Sequence, residues 1–191
     1  MANFTDGTND FSVDKALSET TTPVIFLQSF GDGYEQRLRR GINPLQQNYA
    51  VSFTTRTSTE ANNIISFFES KGAVDSFVFA PPHLGSKTNQ TSFSGKVISS
   101  TGFNASLLAP TNPTHILVTG SSGNDGGYTL DATGTIDNTT LTVTETLTTE
   151  SNTANVTIKA GIKVVCSDWS RTYDYGDYYS VAATFRRVYE S

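Results

Sequence analysis

One cysteine, one tryptophan and two histidines are spread over 191 residues, and each shortage closes off a class of function. A lone Cys166 cannot form an intramolecular disulfide, so nothing points to an oxidising folding compartment. His83 and His115 have no second His or Cys beside them in sequence, so no metal site is expected. Without a Gly-x-Ser-x-Gly turn the usual parts of nucleophilic catalysis are also missing, although scattered carboxylates could still converge in space. No cofactor is expected and the chain reads as a non-enzyme. No apolar run reaches the length of a membrane helix and no basic-then-apolar leader opens the chain, so the reading is of a soluble protein folded in a cytosol. Charged residues make up only 16%, with a net charge of −5 and a pI near 4.9. That balance argues against a dedicated nucleic-acid binder, and the net charge is too small for disorder.

Twelve Phe and eight Tyr supply a core, while Ser, Thr and Asn fill the place of charges. This mixture fits an all-β chain, whose exposed strand faces accept threonine. The run Gly120-Ser-Ser-Gly-Asn-Asp-Gly-Gly127 invites a phosphate-loop reading, but no Lys-Ser/Thr follows and Tyr128-Thr129-Leu130 opens a strand. It reads as a glycine-rich turn needing positive φ. Asp125 and Asp131 do not match calcium-loop spacing. Asn-x-Ser/Thr triplets at Asn3, Asn89, Asn104, Asn138 and Asn155 read as polar strand surface.

Charge placement divides the chain. All seven arginines lie before residue 57 or after residue 170. Between residues 85 and 160, eighteen threonines alternate with Gly/Asn/Asp turns. The expectation is a frame, residues 1–84 and 161–191, carrying an inserted β-module over 85–160, with short strands near 92–99, 115–119, 128–131, 140–145 and 155–159. Residues 1–23 read as a polar arm with at most one short strand, anchored by Phe4, Phe11 and Val13. Strands are expected at Val24–Phe30, which stops at Gly31-Asp32-Gly33, and around Tyr49–Phe53, Val74–Ala80, Ile162–Cys166 and Tyr178–Tyr189. One helix is specified fully. Thr57 and Glu60 have capping-box spacing, Gly72 is the stop, and Ala61, Ile64, Ile65 and Phe68 share a face that should pack on the frame sheet. Arg37, Arg39, Arg40, Arg186 and Arg187 are either solvated or intersubunit contacts, because guanidinium forks favour carboxylates and interfaces.

Several motifs in order resemble the phage minor tail protein family: Phe30-Gly-Asp-Gly-Tyr-Glu-Gln-Arg37, Gly41-Ile-Asn-Pro-Leu45, the Tyr49–Phe53 strand, the capped helix, Ser76-Phe-Val-Phe-Ala-Pro-Pro82, Val165-Cys-Ser-Asp-Trp-Ser-Arg171 and Val181-Ala-Ala-Thr-Phe-Arg186. The likeness covers about 24–84 and 161–191, and the insertion departs from it. It implies a mainly β, tail-tube-like sandwich or barrel with one flanking helix. It further implies a virion-tail location, a homo-oligomeric ring, six copies strong, between the tail tube protein and a distal hub, and DNA only as cargo in the lumen. The alternative is a virion-anchored receptor- or carbohydrate-binding protein acting through the insertion, which would then contact the host surface. Against it, the insertion holds few aromatics (Phe93, Phe103 and Tyr128) to form a sugar platform.

Overall fold

A computed structural model describes residues 2–103 and 113–190; the Asn104 triplet lies outside them. The α-helix α1 spans Ser58–Lys71. The Thr57 hydroxyl accepts from Glu60 N–H at 3.4 Å, and Thr57 N–H donates to the Glu60 carboxylate at 2.9 Å. Those Thr57 donors hold Glu60 below the ordinary glutamate range. At the other end Gly72, at φ 54°, returns its N–H to the Phe68 carbonyl. Ala61, Ile64 and Phe68 are buried and Ile65 is partly buried against the same core. Phe67, which sequence spacing left out, is buried too, so the packed arc is centred further toward Phe67 and Phe68.

The helix covers one face of an antiparallel sheet. Its strands, in spatial order, are β3 (Ser18–Pro23), β6 (Leu45–Thr57), β12 (Tyr178–Arg187) and the C-terminal part of β11 (Thr140–Tyr175). Tyr49, Val51 and Phe53 alternate inward on β6, as do Val181, Ala183 and Phe185 on β12. Strand β7 is shorter than the expected Val74–Ala80; only Phe77–Phe79 pairs, against Ile162–Val164 of β11.

The N-terminal arm corrects the sequence reading. It holds three strands, β1 (Asn3–Thr5), β2 (Asp10–Ser12) and β3. Phe4 on β1 is fully buried, with its ring centroid 5.0–6.0 Å from Phe11, Phe53, Phe67, Phe68, Phe77 and Phe185. Sequence marked Phe4 only as a scattered anchor; its partners come from the helix and four other strands.

Residues of the expected insertion form a second cluster around Phe93, Ile98, Phe103, Leu141, Val143 and Ile158. It is built on β8 (Ser86–Ser99), β9 (His115–Thr119), β10 (Gly126–Thr129) and the first part of β11. The strands expected near 140–145, 155–159 and 162–166 are one 36-residue strand running from this cluster into the frame sheet. Asn155, at φ 62°, is an irregularity within that strand and not a break. Between the clusters Val78, Ala80 and Leu117 form a third, small one. A Cβ on Gly127 would lie 2.5 Å from Val78, and one on Gly161 would also strike it. Those glycines are needed for close approach; of the 120–127 run only Gly120 has the expected positive φ, +83°.

Two outcomes are expected. Phe4→Ala should cost about 3–5 kcal/mol, the range for truncating a buried aromatic, read by urea unfolding. A loss below about 0.5 kcal/mol, the scale of surface changes, would show that the arm is not core. Burial, with Asp168 nearby, pushes the Cys166 thiol up to about 12, and burial with Glu19 pushes the Tyr49 phenol up to about 12. Both groups favour their neutral forms in the folded chain. Their contribution is therefore complete below the ordinary thiol range, about 9, and is lost as pH climbs towards 12. Thermal midpoints should fall over that window, and thiol reagents at neutral pH should label Cys166 only after unfolding.

Candidate assembly surfaces

The frame sheet has one covered face and one open one. Cross-strand partners share a face, so Ser52 with Ala182, Ala50 with Thr184, and Thr184 with Asp168 line the open side. Most of these side chains are small and uncharged, with Arg186 and Asp168 as exceptions; the Thr184 hydroxyl donates to Asp168 at 3.0 Å. Both lateral edges are open among the described residues. β3 pairs only with β6, and β11 beyond Cys166 pairs only with β12. Unpaired N–H and C=O groups along an edge are a template for another strand, which natural proteins either blunt or use.

A hairpin springs from the Pro23/Leu45 end of this sheet. β4 (Ile25–Ser29) and β5 (Glu35–Arg39) pair with each other and with no other strand. Phe30 N–H to the Tyr34 carbonyl, 2.8 Å, closes the tip, where Asp32 adopts φ 64°. Sequence alone read Val24–Phe30 as an ordinary apolar strand, yet every residue of β4 is exposed. Of fourteen exposed large hydrophobic residues among the described ones, eight lie between Ile25 and Leu45, among them Phe26, Leu27 and Leu38. A two-stranded hairpin is marginal in water by itself, and apolar surface on both of its faces calls for a partner.

The arginines singled out in sequence gather at this end. Arg37 pairs with Glu35 at 2.7 Å, Arg40 lies over the Phe26 ring at 5.3 Å, and Arg39 is exposed on β5. Arg186 is exposed opposite Asn48. Arg187 is engaged within the chain, donating to Gln47 at 2.5 Å and lying 4.8 Å over Tyr189. Arg56 and Arg171, at the far end, are also engaged, with Asp14 at 2.9 Å and Asn62 at 2.8 Å.

A family model described as phage minor tail protein matches residues 7–106, just over half of the chain. The chain belongs to the phage minor tail protein family. The match starts in the arm and runs past the double proline into β8 and beyond, a wider N-terminal span than the motifs alone outline. The chain is also 32% identical over 73 residues to tail tip protein M of Escherichia phage lambda, covering 38% of this chain and 66% of that protein. It thus spans slightly less than two thirds of that curated relative. A minor tail protein is a component of the virion tail and associates with other tail proteins.

In the glycine-rich turn of residues 120–127 the backbone N–H groups meet carboxylates of the same chain. Asp125 accepts the N–H groups of Gly120 (3.1 Å) and Ser121 (2.7 Å), and Glu150 those of Ser122 (3.0 Å) and Gly123 (2.8 Å). Partial burial pushes Glu150 up, but donors from Ser122, Thr153, Gly123 and Asn124 outweigh it and hold it below the ordinary range. The turn's N–H groups are therefore occupied and cannot cradle a phosphate. His83 and His115 line one cleft of about 630 Å³, a juxtaposition invisible in sequence. There His83 faces Glu19 at 3.7 Å and Lys163 faces Glu190 at 4.0 Å. Burial, with Lys163 adding to it, pushes His115 down and keeps it neutral. No group of three or more metal-binding side chains occurs among the described residues. Phe93 and Phe103 are buried, and the Tyr128 hydroxyl donates to the Asn124 carbonyl at 3.0 Å, so these rings serve the second core.

The hairpin's isolation has a direct readout. Brief trypsin digestion of the purified chain should cut first after Arg37, Arg39 and Arg40 and leave Arg56 and Arg171 intact. Primary cleavage in the body would mean the hairpin is the better protected element.

Proposed function

We propose that the chain is a non-enzymatic, ring-forming component of the tail tip, an adaptor between the tail tube protein and the distal hub. Six copies surround a lumen through which DNA passes as cargo. One observation carries this reading: an antiparallel sheet whose helix-covered face is sealed, whose other face is polar, and whose outer strands, β3 and β11 beyond Cys166, are unpaired at their edges among the described residues. Edge-to-edge addition of copies extends the sheet, and closure by rotation removes both edges at once. The open face then lines the lumen, where hydroxyl and amide groups without a basic stripe give DNA little to grip. Membership in the minor tail family and likeness to a tail tip protein support the same placement.

Residues 85–160 are proposed to form an outward module on the frame of residues 1–84 and 161–191. Its own apolar cluster supports this, as does burial of the rings that a sugar platform would need. That burial also makes host-surface binding through carbohydrate the weaker alternative. Electron micrographs of the purified chain should show six-fold rings. The same rings should form when residues 86–159 are replaced by a short Gly/Ser linker, with some loss of stability because Val78 loses its cover. Absence of rings from the full chain would refute the ring reading; aggregation of the deletion variant alone would refute the modular one.

A further inference from the structure

Asn3 and Lys159 stand 156 positions apart in the chain and meet through their side chains. Lys159 Nζ donates to Asn3 Oδ1 at 2.7 Å, and Asn3 Nδ2 donates to Asp10 Oδ1 at 2.8 Å. These two partners fix the orientation of the amide, because its oxygen faces a donor and its nitrogen faces a carboxylate. Although its Asn-x-Thr triplet reads as polar strand surface, Asn3 is only 1% exposed. All three residues sit on paired strands. Asn3 pairs with Ser12 and bridges Ala80, Asp10 pairs with Thr5, and Lys159 pairs with Ser86 on one side and Leu117 on the other. The buried Phe4 beside Asn3 anchors the arm in that register. Burial pushes the Lys159 amine below the ordinary lysine range, with Asp10 opposing the shift, which brings its neutral, nucleophilic form closer.

We propose that Lys159 and Asn3 join in an intramolecular isopeptide bond, with Asp10 carrying the proton, so that the N-terminal arm is covalently stapled to β11. The Lys159 amine, after giving one proton to water, attacks Cγ of Asn3 and forms a new C–N bond. The bond from Cγ to Nδ2 breaks, and the departing nitrogen leaves as ammonia. Asp10 accepts the proton that the attacking amine sheds and hands it to Nδ2, the atom it already touches. No oxidant, metal or cofactor enters the balance. A carboxamide is a weak electrophile, and positioning supplies what it lacks. The amine already touches the oxygen bonded to the carbon it attacks, and strand ladders hold both partners there. With Asn3 buried, water is kept from competing for the same carbon. The reaction occurs once per chain and needs no second copy, so it stands apart from the ring reading. Its product keeps the arm, and with it Phe4, from withdrawing from the core even when the sheets open.

Mass spectrometry of the purified full chain is the test. The intact chain should be one ammonia lighter than its sequence. Trypsin should fail to cut after Lys159 and should release one branched peptide, residues 1–15 joined through Asn3 to residues 97–163. Lys159→Met, checked for its fold by circular dichroism, should keep the full sequence mass. Asp10→Asn, a change at an exposed position, should slow the reaction by about 100-fold or more, so that freshly made chains retain the full mass. A wild-type chain still at full sequence mass after prolonged incubation overturns the proposal. So does a chain lighter by one ammonia that yields no branched peptide, because an asparagine closing on its own backbone to a succinimide loses the same mass. Undiminished cross-linking in Asp10→Asn overturns the proton route assigned to Asp10.

Discussion

Everything in the frame is arranged around one ring. Phe4 lies at the centre of an aromatic cluster to which α1 contributes Phe67 and Phe68, β6 Phe53, β7 Phe77 and β12 Phe185. Helix and sheet both pack on this side chain, so the arm completes the core. The same arm is fastened at its backbone. Asn3 and Ala80 exchange N–H···O=C bonds of 3.3 and 3.0 Å, and the Asn3 side chain accepts from Lys159 at 2.7 Å. The first strand thereby ties the frame interior to the base of the threonine-rich segment. Edge-on and tilted ring pairs at these separations contribute beyond their buried area.

Features set by neighbours in sequence were legible, and those set by distant partners were not. Thr57, Glu60 and Gly72 act within one turn of the helix, so spacing alone specified both ends. The alternation around Tyr49–Phe53 likewise reported a half-buried strand, because one face of β6 meets the core and the other does not. Phe4 has no such periodicity; its partners lie between 7 and 181 positions away. Asn155 reads as the start of a separate strand over 155–159, yet successive register shifts let β11 run through it while pairing continues. Gly127 reads as conformational freedom, but what the fold requires there is space for Val78.

The candidate surface was half legible for a related reason. Arg37, Arg39 and Arg40 stand out by composition, and their isolation from the chain's other cations is visible in the string of letters. Val24–Phe30 was legible as an apolar strand, and the structure leaves every residue of β4 exposed within one copy. Where local preference and observed environment disagree, natural sequences tend to be serving a partner.

Strand β11 gives the molecule a mechanical character. A single 36-residue backbone runs through both apolar clusters, with β8 and β9 laddered to its first part and β12 to its last. A pull on the far end of the threonine-rich segment travels down that backbone and loads the β12 ladder along its length. Hydrogen bonds loaded in this way share the force in parallel, whereas a peeled edge gives way one bond at a time. A long, shared strand is thus a tension member: drag on the threonine-rich segment would be borne by many bonds of the frame together.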